Sequence, residues 1–146
     1  KVADISVLNA NYLAKKLSEI RGLELPFPEK LRKHEFVLSA AKMARETGVT
    51  AAHLSKRLLD FGIHAPTVYF PLIVDEALMI EPTETVSKQE LDKTVIAFSK
   101  ASAEAYTNPD LVRDAPRNTA VTRIDEARAS HPKTMQLTWR RGTQSA

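Results

Sequence analysis

Histidine and carboxylate are the residues in this sequence that could move a proton or hold a metal. There are four histidines, His34, His53, His64 and His131, with eighteen Asp and Glu residues and no cysteine. Lack of cysteine removes disulfides, thiolate metal sites and a cysteine nucleophile. No two histidines stand at a spacing such as His-x-x-x-His, so a metal site would have to be assembled through the fold, and none is expected. Four glycines are too few for a phosphate-cradling loop, and no Gly-x-Ser-x-Gly elbow occurs.

The remaining candidates lie near the middle, in Phe61-Gly62-Ile63-His64-Ala65-Pro66-Thr67-Val68-Tyr69-Phe70-Pro71 and in Glu81-Pro82-Thr83-Glu84. His64 sits just past a helix end, in a loop stiffened by Pro66 and Pro71. A loop this apolar, with Tyr69 and Phe70, is costly to leave in water. The residues leave two readings open: a loop tucked under its own domain, or a surface that faces a neighbouring domain near a pocket. Glu81 extends from an apolar run, so it is expected to be partly buried and to need a partner. Glu84 precedes a helix and suits the positive end of its dipole. His53 falls on the solvent side of its helix. His34 opens a strand beside Glu35, and adjacent strand residues point to opposite faces, so these two are not expected to pair.

The elements that place these residues can be read from periodicity. Ile5, Leu8, Tyr12, Leu13, Leu17 and Ile20 predict an amphipathic helix over 3–20, closed by Gly22. Leu23-Glu24-Leu25 predicts a short strand, and residues 34–39 a buried one. A short helix is expected over 40–46, ending at Gly48. Thr50 caps a helix whose apolar face is Ala51, Leu54, Leu58 and Phe61, with Gly62 at its end. Residues 77–81 predict a strand ended by Pro82. Ser87 and Glu90 form a capping box for a helix near 88–106, and Asn108-Pro109 opens a further short one. Thr122 caps a turn of helix at 123–129, and 131–146 is expected to be an extended tail. Strands and helices do not alternate strictly. The fold class is therefore α+β: a small, largely antiparallel sheet with helices packed on one face.

A length of 146 residues with 43% apolar and 27% charged content suits one domain with a modest core. A net charge of +3 is mild, and no aromatic-and-basic strand motif is present, which disfavours a nucleic-acid binder. No run approaches the ~20 apolar residues that cross a bilayer. From Lys1 the chain enters helical periodicity directly, as expected of a piece of something longer. A stand-alone α+β binding or regulatory module is the alternative.

Three stretches carry a resemblance: His34-Glu35-Phe36; Lys56-Arg57-Leu58-Leu59-Asp60-Phe61-Gly62-Ile63-His64-Ala65-Pro66-Thr67; and Leu78-Met79-Ile80-Glu81-Pro82-Thr83-Glu84-Thr85. They are similar to the C-terminal region of glycine decarboxylase, the P-protein of the glycine cleavage system. Ala115-Pro116 and Arg123-Ile124-Asp125-Glu126 resemble the second subunit of its two-subunit form. The resemblance implies a fold-type I enzyme that uses pyridoxal phosphate to decarboxylate glycine and passes the aminomethyl group to the lipoyl arm of H-protein. It implies that residues 1–130 are its C-terminal small domain, with 1–20 the end of a linking helix, and that the location is cytoplasmic. The family's cofactor lysine follows a histidine, and no His-Lys pair occurs here. No catalytic residue and no bound cofactor are therefore expected in this chain. His64, Thr67, Glu81, Thr83 and Glu84 are expected to line or brace a cleft or interface wall toward the large domain and partner subunit. Lys133, Arg140 and Arg141 would help attract an acidic H-protein.

Overall fold

Side chains that cap helices fix most of the frame. The computed structural model describes residues 1–135. Its elements run α1 (Val2–Ser18), β1 (Phe36–Ser39), α2 (Ala41–Thr47), α3 (Ala51–Asp60), β2 (Thr67–Val68), β3 (Ala77–Ile80), α4 (Lys88–Thr107), α5 (Pro109–Arg113), α6 (Glu126–Ser130) and α7 (Pro132–Met135). At the start of α4, the Glu90 N–H donates to the Ser87 hydroxyl and the Ser87 N–H donates to the Glu90 carboxylate. Each bond satisfies a donor that the first helical turn leaves open. Thr50 serves α3 in the same way. Gly48 ends α2 with a φ of +72°, a conformation that glycine adopts without steric cost.

The three strands form one antiparallel sheet in the order β1-β3-β2. Phe36 pairs with Ile80 and Leu38 with Leu78. These inward residues belong to a core shared with Leu13 and Leu17 of α1, Met43 of α2, Leu54 and Leu58 of α3, and Leu91 and Phe98 of α4. Val37 and Met79 alternate onto the other face and are half-buried. The helices thus cover one side of the sheet, as the sequence predicts.

Other expectations need correction. The strand over 23–25 reduces to a single bridge between Glu24 and Ser39. Within the proline-punctuated loop, Thr67-Val68 forms β2, which the sequence reading missed. In α1 the buried stripe is Asn9, Ala10, Leu13, Ala14 and Leu17. Leu8 is 67% and Ile5 43% exposed. The small residues Ala10 and Ala14 let the helix approach the core closely, and a count of large apolar residues overlooks them. Asp125, rather than Thr122, caps the helix after residue 122, and that helix spans Glu126–Ser130. Pro132–Met135 forms another helical turn where an extended tail is expected. The rest of that tail lies outside the described residues. Among the described residues no helix is long and apolar enough to cross a membrane.

Candidate functional site

The turn after β3 separates two hollows. The larger has a volume of about 950 Å³. The 61–67 loop, the stretch from Met79 in β3 to Pro82 beyond it, and α4 from Glu90 to Lys100 form its walls, while Leu13, Leu91 and Phe98 reach its floor. A second hollow of about 440 Å³ lies between the first turns of α1, Lys33-His34 and residues 81–84. Glu81 and Pro82 line both. β2 pairs only with Leu78 and Met79, so the larger cleft opens where the sheet's edge strand stops.

The five candidate wall residues divide between these hollows. His64, Thr67 and Glu81 border the larger; Glu81, Thr83 and Glu84 border the smaller. His64, Thr67, Glu81 and Thr83 are exposed and Glu84 is half-buried. Glu81 is not partly buried as its apolar lead-in suggests, for its side chain is 59% exposed. Strand alternation explains this: Ile80 points inward opposite Phe36, so Glu81 points outward. Its partner is His34, whose Nε2 lies 3.8 Å from the Glu81 carboxylate. His34 and Glu35 precede β1, which starts at Phe36, so the strand expected over 34–39 is shorter by two residues. The Thr83 and Thr85 hydroxyls lie 2.8 Å apart.

One positioning residue was missed. Asn9, 8% exposed, donates from Nδ2 to the carbonyl oxygens of Thr83 and Val86 at 2.9 and 3.1 Å. It fastens the 83–86 turn to α1 and so fixes the shared wall. A polar residue four positions from both Ile5 and Leu13, on a stripe read as apolar, was the available signal.

His53 departs from the sequence reading too. It is half-buried rather than solvated, and its Nδ1 accepts from the Thr50 N–H at 3.2 Å. That acceptor role places the proton of the neutral ring on Nε2. Burial, and then the charges of Arg123, Arg113 and Lys56, push its pKa down against the opposing pull of Glu76. His53, Lys56, Arg113 and Arg123 line a third groove of about 520 Å³ with Asp125 and Glu126. Lys56 pairs with Glu126 and Arg113 with Asp110.

Between the two strands that shape the larger cleft, the loop from Tyr69 to Val74 is not tucked into the core. Tyr69 is 44%, Phe70 55%, Leu72 90% and Ile73 91% exposed. The arrangement offers apolar surface and carboxylates, and no metal cluster exists among the described residues.

Comparison with known proteins identifies the family. The family model described as "Glycine dehydrogenase, C-terminal domain" matches residues 2–121. A Pyrococcus abyssi protein named "Probable glycine dehydrogenase (decarboxylating) subunit 2" is 63% identical over 140 residues, covering 96% of this chain and 27% of the relative. Proteins of the same name from Thermotoga petrophila and Coxiella burnetii are 55% identical over 130 residues and 48% over 139. Those alignments cover 89% and 95% of this chain, and 27% and 28% of the relatives. The chain spans about a quarter of the length of these relatives. With a match running through α1, the sheet, α4 and α5, this chain belongs to the glycine dehydrogenase C-terminal domain family.

Proposed function

We propose that this chain is the C-terminal small domain, over residues 1–130, of a pyridoxal-phosphate-dependent glycine decarboxylase in the cytoplasm. In this reading α1 is the end of a linking helix. The two hollows and the Tyr69–Val74 loop face the remainder of that enzyme and its partner subunit. His64, Thr67, Glu81, Thr83 and Glu84 form or brace the wall. The parent releases carbon dioxide from glycine and hands the aminomethyl group to lipoylated H-protein. The observation that carries the reading is family membership combined with near-complete exposure of Leu72 and Ile73. Adjacent large aliphatic side chains in water are a sign of a docking surface.

The cofactor supplies an electron sink for the decarboxylation. The residues of this chain do not by themselves fit it. Lys93 and Lys100, which border the larger cleft, are exposed on α4, whereas a Schiff-base lysine works in a desolvated pocket. The described glycines stand singly at 22, 48 and 62, giving no phosphate cradle. In this reading the anchor belongs to the larger part of the parent. Of the residues assigned to attracting H-protein, Lys133 is exposed on α7, and Arg140 and Arg141 lie outside the described residues.

The test is the double change Leu72→Ser with Ile73→Ser in the full-length parent. Each aliphatic side chain buried at an interface contributes about 1.5–3 kcal/mol. Carbon dioxide release from glycine should fall at least about tenfold. The isolated chain should keep its stability within about 0.5 kcal/mol, because both side chains are already in water. A parent that keeps full activity, with this loop still open to protease, would refute the proposal.

A further inference from the structure

We propose that Glu76 is the positioning residue that sets the exposed apolar loop, Tyr69–Val74, at a fixed angle to the body of the domain. This rests on the reading that the loop docks against the rest of the parent, and it assigns that loop's preorganisation to one side chain.

The loop tip has little to hold it from within. Its one internal backbone bond runs from the Val74 N–H to the Pro71 carbonyl, at 3.0 Å. Its large side chains point to solvent. Placement must therefore come from the two ends, and both are held in left-handed backbone conformations that non-glycine residues rarely adopt. Tyr69 has a φ of +59° and Glu76 a φ of +48°. Such conformations persist only where surrounding contacts over-determine them.

At the entry end, the Tyr69 N–H donates to the Ala77 carbonyl at 2.9 Å. At the exit end three contacts converge. The Asp75 carbonyl accepts from the Ser39 hydroxyl at 2.7 Å. The Glu76 carbonyl accepts from the Ala40 N–H at 3.0 Å. The Glu76 carboxylate accepts from the Ala51 N–H at 2.6 Å. The first two use carbonyls that any residue would supply. Only the third depends on the side chain at position 76. It places a negative group at the first turn of α3, where an unpaired donor and the helix dipole both favour it. Thr50 and His53 already satisfy each other's N–H groups in that turn, so Glu76 completes the cap and ties the loop to it.

Hydrogen exchange across residues 69–75 tests this, with the amides of β1 and α4 as the internal reference for global stability. Glu76→Ala should speed exchange of the loop amides about tenfold while the reference amides hold. Glu76→Gln retains an acceptor oxygen and should restore most of the protection. Glu76→Gly removes the carboxylate but eases the positive φ; it should resemble Glu76→Ala. Unchanged loop exchange in Glu76→Ala, or wild-type behaviour in Glu76→Gly, would overturn the assignment. Docking is read separately, as added protection of residues 70–74 in the full-length parent with Glu76 intact. Loss of that protection refutes the docking reading and leaves the result for Glu76 in the isolated chain standing.

Discussion

Arg57→Ala is expected to lower the stability of this chain by about 3–5 kcal/mol, the usual cost of breaking a buried ion pair by removing one partner. The Arg57 side chain is 9% exposed. Its Nε and Nη2 donate to the two Glu104 oxygens at 2.8 and 3.0 Å, and Nη1 donates to Asp60 at 2.7 Å. The Asp60 side chain has no exposure and Glu104 has 25%. Removing the guanidinium takes the bidentate partner from Glu104 and leaves Asp60 with only the backbone N–H groups of Arg117 and Asn118. The melting temperature should fall by roughly 10 °C. A loss under about 1 kcal/mol would show the trio to be worth no more than a surface pair.

Asp60 adds a pH signature to this network. Burial alone would raise its carboxyl, but the backbone N–H groups of Asn118 and Arg117, together with Arg57, outweigh burial and hold it below the usual carboxylate range. A lowered folded-state pKa means that the unfolded chain takes up the proton first as pH falls. The stabilisation is complete above the unfolded value of about 3.9 and is lost as pH drops through the lower folded value. Stability measured below about pH 4 should therefore decline with a slope that Asp60→Asn flattens. An equal slope in both proteins would remove Asp60 from the explanation.

Phe98→Ala should cost about 3–5 kcal/mol. Phe98 is 1% exposed, belongs to the main core, and also reaches the floor of the larger cleft. Truncation leaves a void that α4, tied through Ser87, Glu90 and Glu104, collapses into only partly. Phe98→Leu keeps most of the volume and should cost less than about 1.5 kcal/mol. Urea unfolding measures both, with an unchanged m-value as the check that the same surface is exposed. A loss below about 1 kcal/mol for Phe98→Ala would mean that the cleft, not the core, is this ring's true environment.

What could be read in advance followed local chemistry. Thr50, Ser87 and Glu90 are caps, so α3 and α4 fell where the sequence placed them. β1 and β3 were legible as apolar runs. β2 was not, because two residues carry no periodicity and owe their pairing to Met79 and Leu78, twelve and ten positions away. The orientation of α1 was misjudged because Ala10 and Ala14 count for little on a hydrophobicity scale but decide how closely a helix can pack. Glu81 was drawn inward by the company of apolar neighbours, although the period of two turns it outward. His53 escaped notice as a cap because the usual third residue of a capping box is Glu or Gln. The five candidate wall residues are close in sequence, but their division between two hollows depends on where β2 stops and on the bond between Asn9 and the 83–86 turn.

The Glu81–Pro82 turn makes the two hollows reciprocal. A partition shared by two rooms cannot shift toward one without enlarging the other. Pro82 is buried and Asn9 pins the turn beside it to α1, so the partition has one set position. Bulk added to the Glu81 side chain would therefore be felt in both openings at once.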